Sequence, residues 1–188
     1  MNALHAIPVA DLPPLAYLYG ENHDPALTEP EHFRAITSNG WVKPSGGLWT
    51  APITARADDG SVLRTAWTEW CVDNMWADLV KARFLEILPR PDARVLLVDA
   101  MDDLQALVAA FPNTEPRYRL RYGHADQFPN WQTMAACWDA VYLTDAGQWA
   151  TRLPPYGEPN LYTWDCASVL WLRPAYSVAV SCPTGGAR

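Results

Sequence analysis

The chain has 188 residues, with 14 Lys and Arg against 21 Asp and Glu, a net charge of −7 and a pI near 4.9. That acidic balance argues against a broad nucleic-acid footprint, which needs a basic face. Hydrophobic residues at 49% and charged residues at 19% exclude a disordered chain, and a chain this long buries a core without disulfide or metal staples.

The length suits a single domain, 1–188, with flexible ends over 1–14 and 182–188. Ten tryptophans supply large apolar area, each with an N–H that needs a partner. Cys71, Cys137, Cys166 and Cys182 form no CxxC pair, which excludes a zinc ribbon and reads as reduced thiols in a cytoplasmic protein. No basic-then-apolar leader and no apolar run of about 18 residues is present, so no membrane association is expected.

In chain order, "PLAYLYG" (14–20) reads as a strand ending at Gly20. A loop follows, with a short helix from residue 29 or 30 to about 37. "GGLWTAP" reads as a second short strand broken by Pro52. Over 64–88 the apolar residues Trp67, Cys71, Met75 and Leu79 fall four apart, beside Trp76, Val80, Phe84 and Ile87. The spacing predicts one long helix, ended by Pro89 and Pro91.

"ARVLLVD" (93–99) reads as a strand, followed by a helix with Met101, Leu104, Leu107, Val108 and Phe111 on one face and Asp99 as its cap. "PRYRLRYG" (116–123) alternates like an edge strand with Arg117, Arg119 and Arg121 outward. A helix (130–138), a strand (139–144), a turn at 145–147 and a loop over 148–160 come next. Strands over 161–172 and 176–180 close the chain. The layout is α+β, with strands at the ends and helices in the middle.

Local chemistry is sparse. "NHD" sets His23 beside Asp24 and "HAD" spaces His124 from Asp126, but neither gathers the three or four ligands of a metal centre, so no metal is expected. No GxSxG, GxGxxG or GxxxxGK[ST] occurs, which argues against a serine nucleophile elbow and against Rossmann or P-loop nucleotide sites. Two other readings stand beside the one below: a non-catalytic protein-interaction module of bacterial or phage origin, with tryptophan at its hot spots, and a hydrolase built on His124 and Asp126.

The order of pieces carries more. "AYLYG", then a helix and turn, "GGLWTAP", a long helix, "NWQTMAACWDAV" and finally "SVLWLRPAYSVAV" resembles the ADP-ribosyltransferase fold family, from about residue 15 to 180. The resemblance implies two small packed antiparallel or mixed sheets with a long central helix and helical insertions. It implies NAD as co-substrate, cleavage of the nicotinamide–ribose bond, and transfer of ADP-ribose to a protein or nucleic-acid target, as in bacterial toxins and phage effectors.

Carried over by position, Tyr19 and Gly20 end the first strand, with Gly20 as the backbone clamp on the nicotinamide amide. Gly47, Leu48 and Trp49 form the second wall, with Thr50 as the supporting hydroxyl and Ser168 beside the acid. Lys43 stands near a phosphate or in solvent. The family's glutamate falls at Ala167, between Asp165 and Ser168. Three accounts of that departure follow: Asp165 serves as the carboxylate, the chain keeps the pocket without the catalysis, or Ala167 is an engineered replacement of a glutamate.

Overall fold

The computed structural model describes residues 3–19, 25–37, 42–75, 83–114 and 128–179. It is a mixed α+β fold with a large mixed sheet of nine strands and, among the described residues, four α-helices. The strands are β1 (Ala6–Ile7), β2 (Leu15–Tyr19), β3 (Leu48–Arg56), β4 (Val62–Thr65), β5 (Arg83–Pro89), β6 (Val95–Val98), β7 (Ala140–Leu143), β8 (Ser168–Trp171) and β9 (Tyr176–Val178). The helices are α1 (Ala66–Asp73), α2 (Met101–Ala110), α3 (Trp131–Cys137) and α4 (Asp145–Arg152).

The spatial order is β1-β6-β7-β8-β3-β2-β5-β9, with β4 paired to β3. The β6–β7 pair is parallel and every other named pair is antiparallel. One connected sheet therefore replaces the two small packed sheets expected. It curls strongly. β8 and β9 lie four steps apart along the path, roughly 19 Å if the sheet were flat. Yet the rings of Trp171 and Tyr176 meet edge-on with centroids 5.1 Å apart.

Alternation on the central strands feeds two cores. Leu96, Val98, Val141, Leu143, Leu170 and Leu172 share one core with Leu104 and Leu107 of α2 and Trp131 and Met134 of α3. Val95, Ala140, Val169 and Trp171 point the other way, into a core with Leu15, Leu48, Ile87 and Tyr176. A sheet covered on both faces explains why "SVLW" is apolar at successive positions instead of alternating.

The long helix predicted over 64–88 is the largest correction. Thr65 caps α1 reciprocally with Thr68, but the helix ends at Asp73 and Met75 takes a left-handed φ of 49°. Phe84 and Ile87 lie on β5, which pairs with all of β2 and then with β9. Pairing on both edges outweighs the helical spacing of those apolar residues. The described helices run to at most ten residues, so no long central helix is present among the described residues.

Smaller departures have local causes. The helix expected over 29–37 shrinks to a single 3-10 turn, Pro30–His32, because Thr37 bridges to Ser45 and the Arg34 carbonyl accepts from Gly47 N–H. Strand β3 runs straight through Pro52. That residue sits where β3 changes partner from β8 to β4, so its missing N–H falls at the joint. Asp99 does not cap α2: Asp103 accepts from the N–H groups of Asp99 and Ala100, while Asp99 accepts from the Thr144 hydroxyl. The stretch 3–14, expected as flexible leader, contains β1, which pairs with β6. The predicted edge strand over 116–123 and the tail lie outside the described residues.

The turn expected at 145–147 is the first turn of α4. The Thr144 hydroxyl caps it by accepting from Gly147 N–H at 2.9 Å. Gly147 is there for close approach, not for a bend: a Cβ would stand 2.0 Å from the Val98 carbonyl oxygen. Gly147→Ala is expected to push α4 off β6 and cost about 2–3 kcal/mol, read as a lower urea midpoint with an unchanged slope.

Candidate functional site

A cleft of about 450 Å³ opens where β2, β3, α1 and the segment before β8 meet. Its wall includes Gly47, Leu48, Trp49 and Thr50 of the second predicted segment and Asp165, Cys166 and Ser168 of the third. Tyr17 and Leu18 of β2 complete it, with Arg34, Lys43 and Trp67.

Gly46 and Gly47 lead the chain into β3 with φ of 87° and 71°. At Gly47 a Cβ would lie 2.6 Å from the Trp171 carbonyl oxygen and 2.7 Å from Ile36 Cδ1. The glycine pair therefore lets β3 settle against β8, and it is the protein's own backbone that makes the close approach. The register that follows is Leu48 opposite Trp171, Trp49 opposite Leu170 and Thr50 opposite Val169.

Trp49 is half-buried. Its ring meets Trp164 edge-on at 4.5 Å, and Trp164 stacks on Trp131 at 5.6 Å. Lys43 Nζ stands 4.7 Å from the Trp49 ring centroid and 5.9 Å from that of Trp67. The cleft thus already holds a cation against aromatic faces, an arrangement favoured by the ring quadrupole. Thr50 is buried, and its hydroxyl is committed: it donates to the Val169 carbonyl and accepts from Trp171 Nε1, both at 3.2 Å.

The strand expected over 161–172 covers only Ser168–Trp171. Residues 161–167 turn instead, because Leu161 and Trp164 drop into the core and Trp164 N–H bonds the Leu161 carbonyl at 2.8 Å. Asp165 and Ala167 therefore do not share a strand face. Asp165 lines the cleft, whereas Ala167 is buried and does not.

The electrostatics single out Asp165. Burial pushes its carboxyl above the ordinary value, and the cations Lys43 and Arg152 pull it partly back. Cys166 is pushed up to about 12, first by burial, so it is no thiolate nucleophile near neutrality. Cys71 of α1 is raised by burial and then by the charge of Asp165. The Ser168 hydroxyl donates to the Cys166 carbonyl at 2.7 Å, which ties the turn closed.

Tyr19 ends β2 opposite Arg83 and packs on the second core, away from the cleft lining. Gly20, His23, Asp24, His124, Asp126 and Cys182 lie outside the described residues, as do Arg117, Arg119 and Arg121. Among the described residues, Glu29, Glu31 and His32 are the side chains grouped closely enough to hold a metal ion, and all are exposed. Sequence reasoning missed Tyr17, Arg34 and Trp67. Tyr17 and Tyr19 share a strand face, and nothing local told them apart. Trp67 is the second residue of α1, two past the Thr65 cap, which fixes where it points but is a visible signal only once α1 is known to be short.

No helix among the described residues is long and apolar enough to cross a membrane. Compared with known protein families, with curated proteins and with solved structures, the chain matches none.

Proposed function

We propose that this cleft binds NAD and that the protein belongs with the ADP-ribosyltransferases it resembles, with Asp165 in place of the family's glutamate. The observation that carries the reading is convergence. Three segments distant in the chain, around residues 17, 43–50 and 165–168, line one cleft in which a cation-holding tryptophan face accompanies a desolvated carboxylate.

The chemistry follows from those groups. The nicotinamide ring of NAD is planar and cationic, so it suits the Trp49 face that Lys43 covers in the free protein. When the nicotinamide–ribose bond breaks, its electron pair leaves with neutral nicotinamide and the ribose becomes an oxocarbenium-like cation. An ionised Asp165 stabilises that charge where it develops. The acceptor's nucleophile then bonds the ribose carbon and releases its proton to solvent. Thr50 has a structural part in this scheme, since its hydroxyl fastens β3 to β8.

Calorimetric titration with NAD tests the reading, with Trp49→Ala as the control. Saturable binding that weakens at least about tenfold in Trp49→Ala is expected, in line with loss of a desolvated cation–aromatic contact. No heat at millimolar NAD from the folded protein would favour the other reading, a non-catalytic interaction module. One observation supports that alternative: Trp149, Leu153, Tyr156 and Tyr162 are all exposed, on α4 and the turns after it.

A further inference from the structure

Away from the cleft, three turns meet at one corner of the sheet: the β5–β6 turn, the residues before β7 and the β8–β9 turn. Backbone bonds lock them together. Arg90 N–H donates to the Ala175 carbonyl at 2.9 Å, Asp139 N–H to the Arg94 carbonyl at 3.0 Å, and Leu172 N–H to the Asp139 carbonyl at 2.8 Å. They frame a recess of about 390 Å³ walled by Arg90, Asp92, Arg94, Asp139 and Arg173. It shares no lining residue with the cleft. Three guanidinium groups face two carboxylates there, a local positive excess on a chain of net charge −7.

The two carboxylates are already engaged. Asp139 is buried: one oxygen accepts from Arg94 backbone N–H at 2.8 Å, and the other from Arg173 Nη2 at 2.6 Å. Asp92 takes a bidentate pair from Arg90, at 3.0 and 2.6 Å. Arg94 is different. Its Nε lies 3.8 Å from Asp139, within ion-pair range but too long for a hydrogen bond, and its side chain is half-exposed. Among the described residues, no carboxylate is hydrogen-bonded to its guanidinium. Its one other contact of note is the Trp138 ring, 6.0 Å away.

We infer that this corner binds a phosphoryl-type oxyanion, free phosphate or a small phosphate ester. Asp139 pins Arg173 as the fixed donor, and Arg94 is the arm that closes on the anion. A planar guanidinium matches two phosphoryl oxygens at once, which is why an arginine without a bonded carboxylate at the mouth of a positive recess suits this ligand better than a halide.

The full chain should be titrated calorimetrically with inorganic phosphate and with methyl phosphate, at constant ionic strength held by chloride. Saturable binding of at least one anion in the millimolar range is expected. Arg94→Ala should weaken it about tenfold, Arg94→Lys should fall between, and Trp49→Ala should leave it unchanged. Tighter binding of phosphate would point to the free ion, and tighter binding of methyl phosphate to an ester. The proposal is overturned if neither anion saturates by about 10 mM. It is equally overturned if folded Arg94→Ala and Arg94→Lys, checked by circular dichroism, both bind like the wild type.

Discussion

Asp165→Asn is expected to cut nicotinamide release from NAD by about 10²–10³-fold while leaving NAD affinity within about threefold. In the proposed scheme the carboxylate acts only once positive charge grows on the ribose, so its loss should fall on turnover and not on binding. Stability should move the opposite way. Burial makes the Asp165 carboxyl hold its proton more tightly folded than unfolded. The stability that this proton brings is fully present below the unfolded value and disappears as pH rises through the higher folded value. Above the folded value the wild type therefore carries an ionised, partly desolvated group that asparagine lacks. The variant should be at least as stable as the wild type at neutral pH, and the gap should close in acid. Urea unfolding at two pH values and a nicotinamide-release assay measure both halves. The same titration makes the wild-type rate climb with pH as the Asp165 carboxyl, raised by burial, loses its proton. An Asp165→Asn protein that turns over NAD at the wild-type rate would remove Asp165 from the mechanism.

The second large effect lies behind the cleft. Trp164 is fully buried between Trp49 and Trp131, and its Nε1 donates to the Val42 carbonyl at 3.3 Å. Trp164→Ala removes an indole from the centre of the first core and leaves a cavity, expected to cost about 4 kcal/mol. For a chain of this size that is a fall in Tm of roughly 8–16 °C. It also withdraws the edge that holds the Trp49 ring upright, so NAD binding should weaken even at temperatures where the variant is folded. Trp164→Phe keeps an aromatic edge and should lose about half as much stability. Thermal melts followed by calorimetry on the folded variants check both outcomes; full NAD affinity in folded Trp164→Ala would show that Trp49 keeps its place unaided.

These two residues also show how far the sequence could be read. "GGLWTAP" was legible as a cleft wall because glycines before an aromatic strand mark close approach, and the partner proved to be Trp171 and Ile36. The strand "SVLW" was legible from its apolar run. What could not be read was the fate of residues either side of it. Whether 161–167 continue the strand depends on Leu161 and Trp164 finding the core, which is a tertiary matter. That choice decides whether Asp165 or Ala167 lines the cleft. The 64–88 helix failed for the same reason: Phe84 and Ile87 satisfy a helical spacing, but β2 and β9 offered them two sheet edges. The parallel placement of β6 beside β7 depends on contacts across more than 40 residues, with no local mark in either strand.

The seam between β3 and β8 has a consequence in time. Thr50 meets Val169 across 119 positions of chain. A ribosome delivers the N-terminal wall long before the residues that face it, and pairings of such separation form late and slowly. Until the last strands emerge, the growing polypeptide has no cleft at all, and Trp49 and the central sheet lack their covering partner. Between the emergence of β3 and that of β8 the nascent chain therefore carries an unclosed apolar sheet, and any capacity to handle NAD would switch on only when β8 docks.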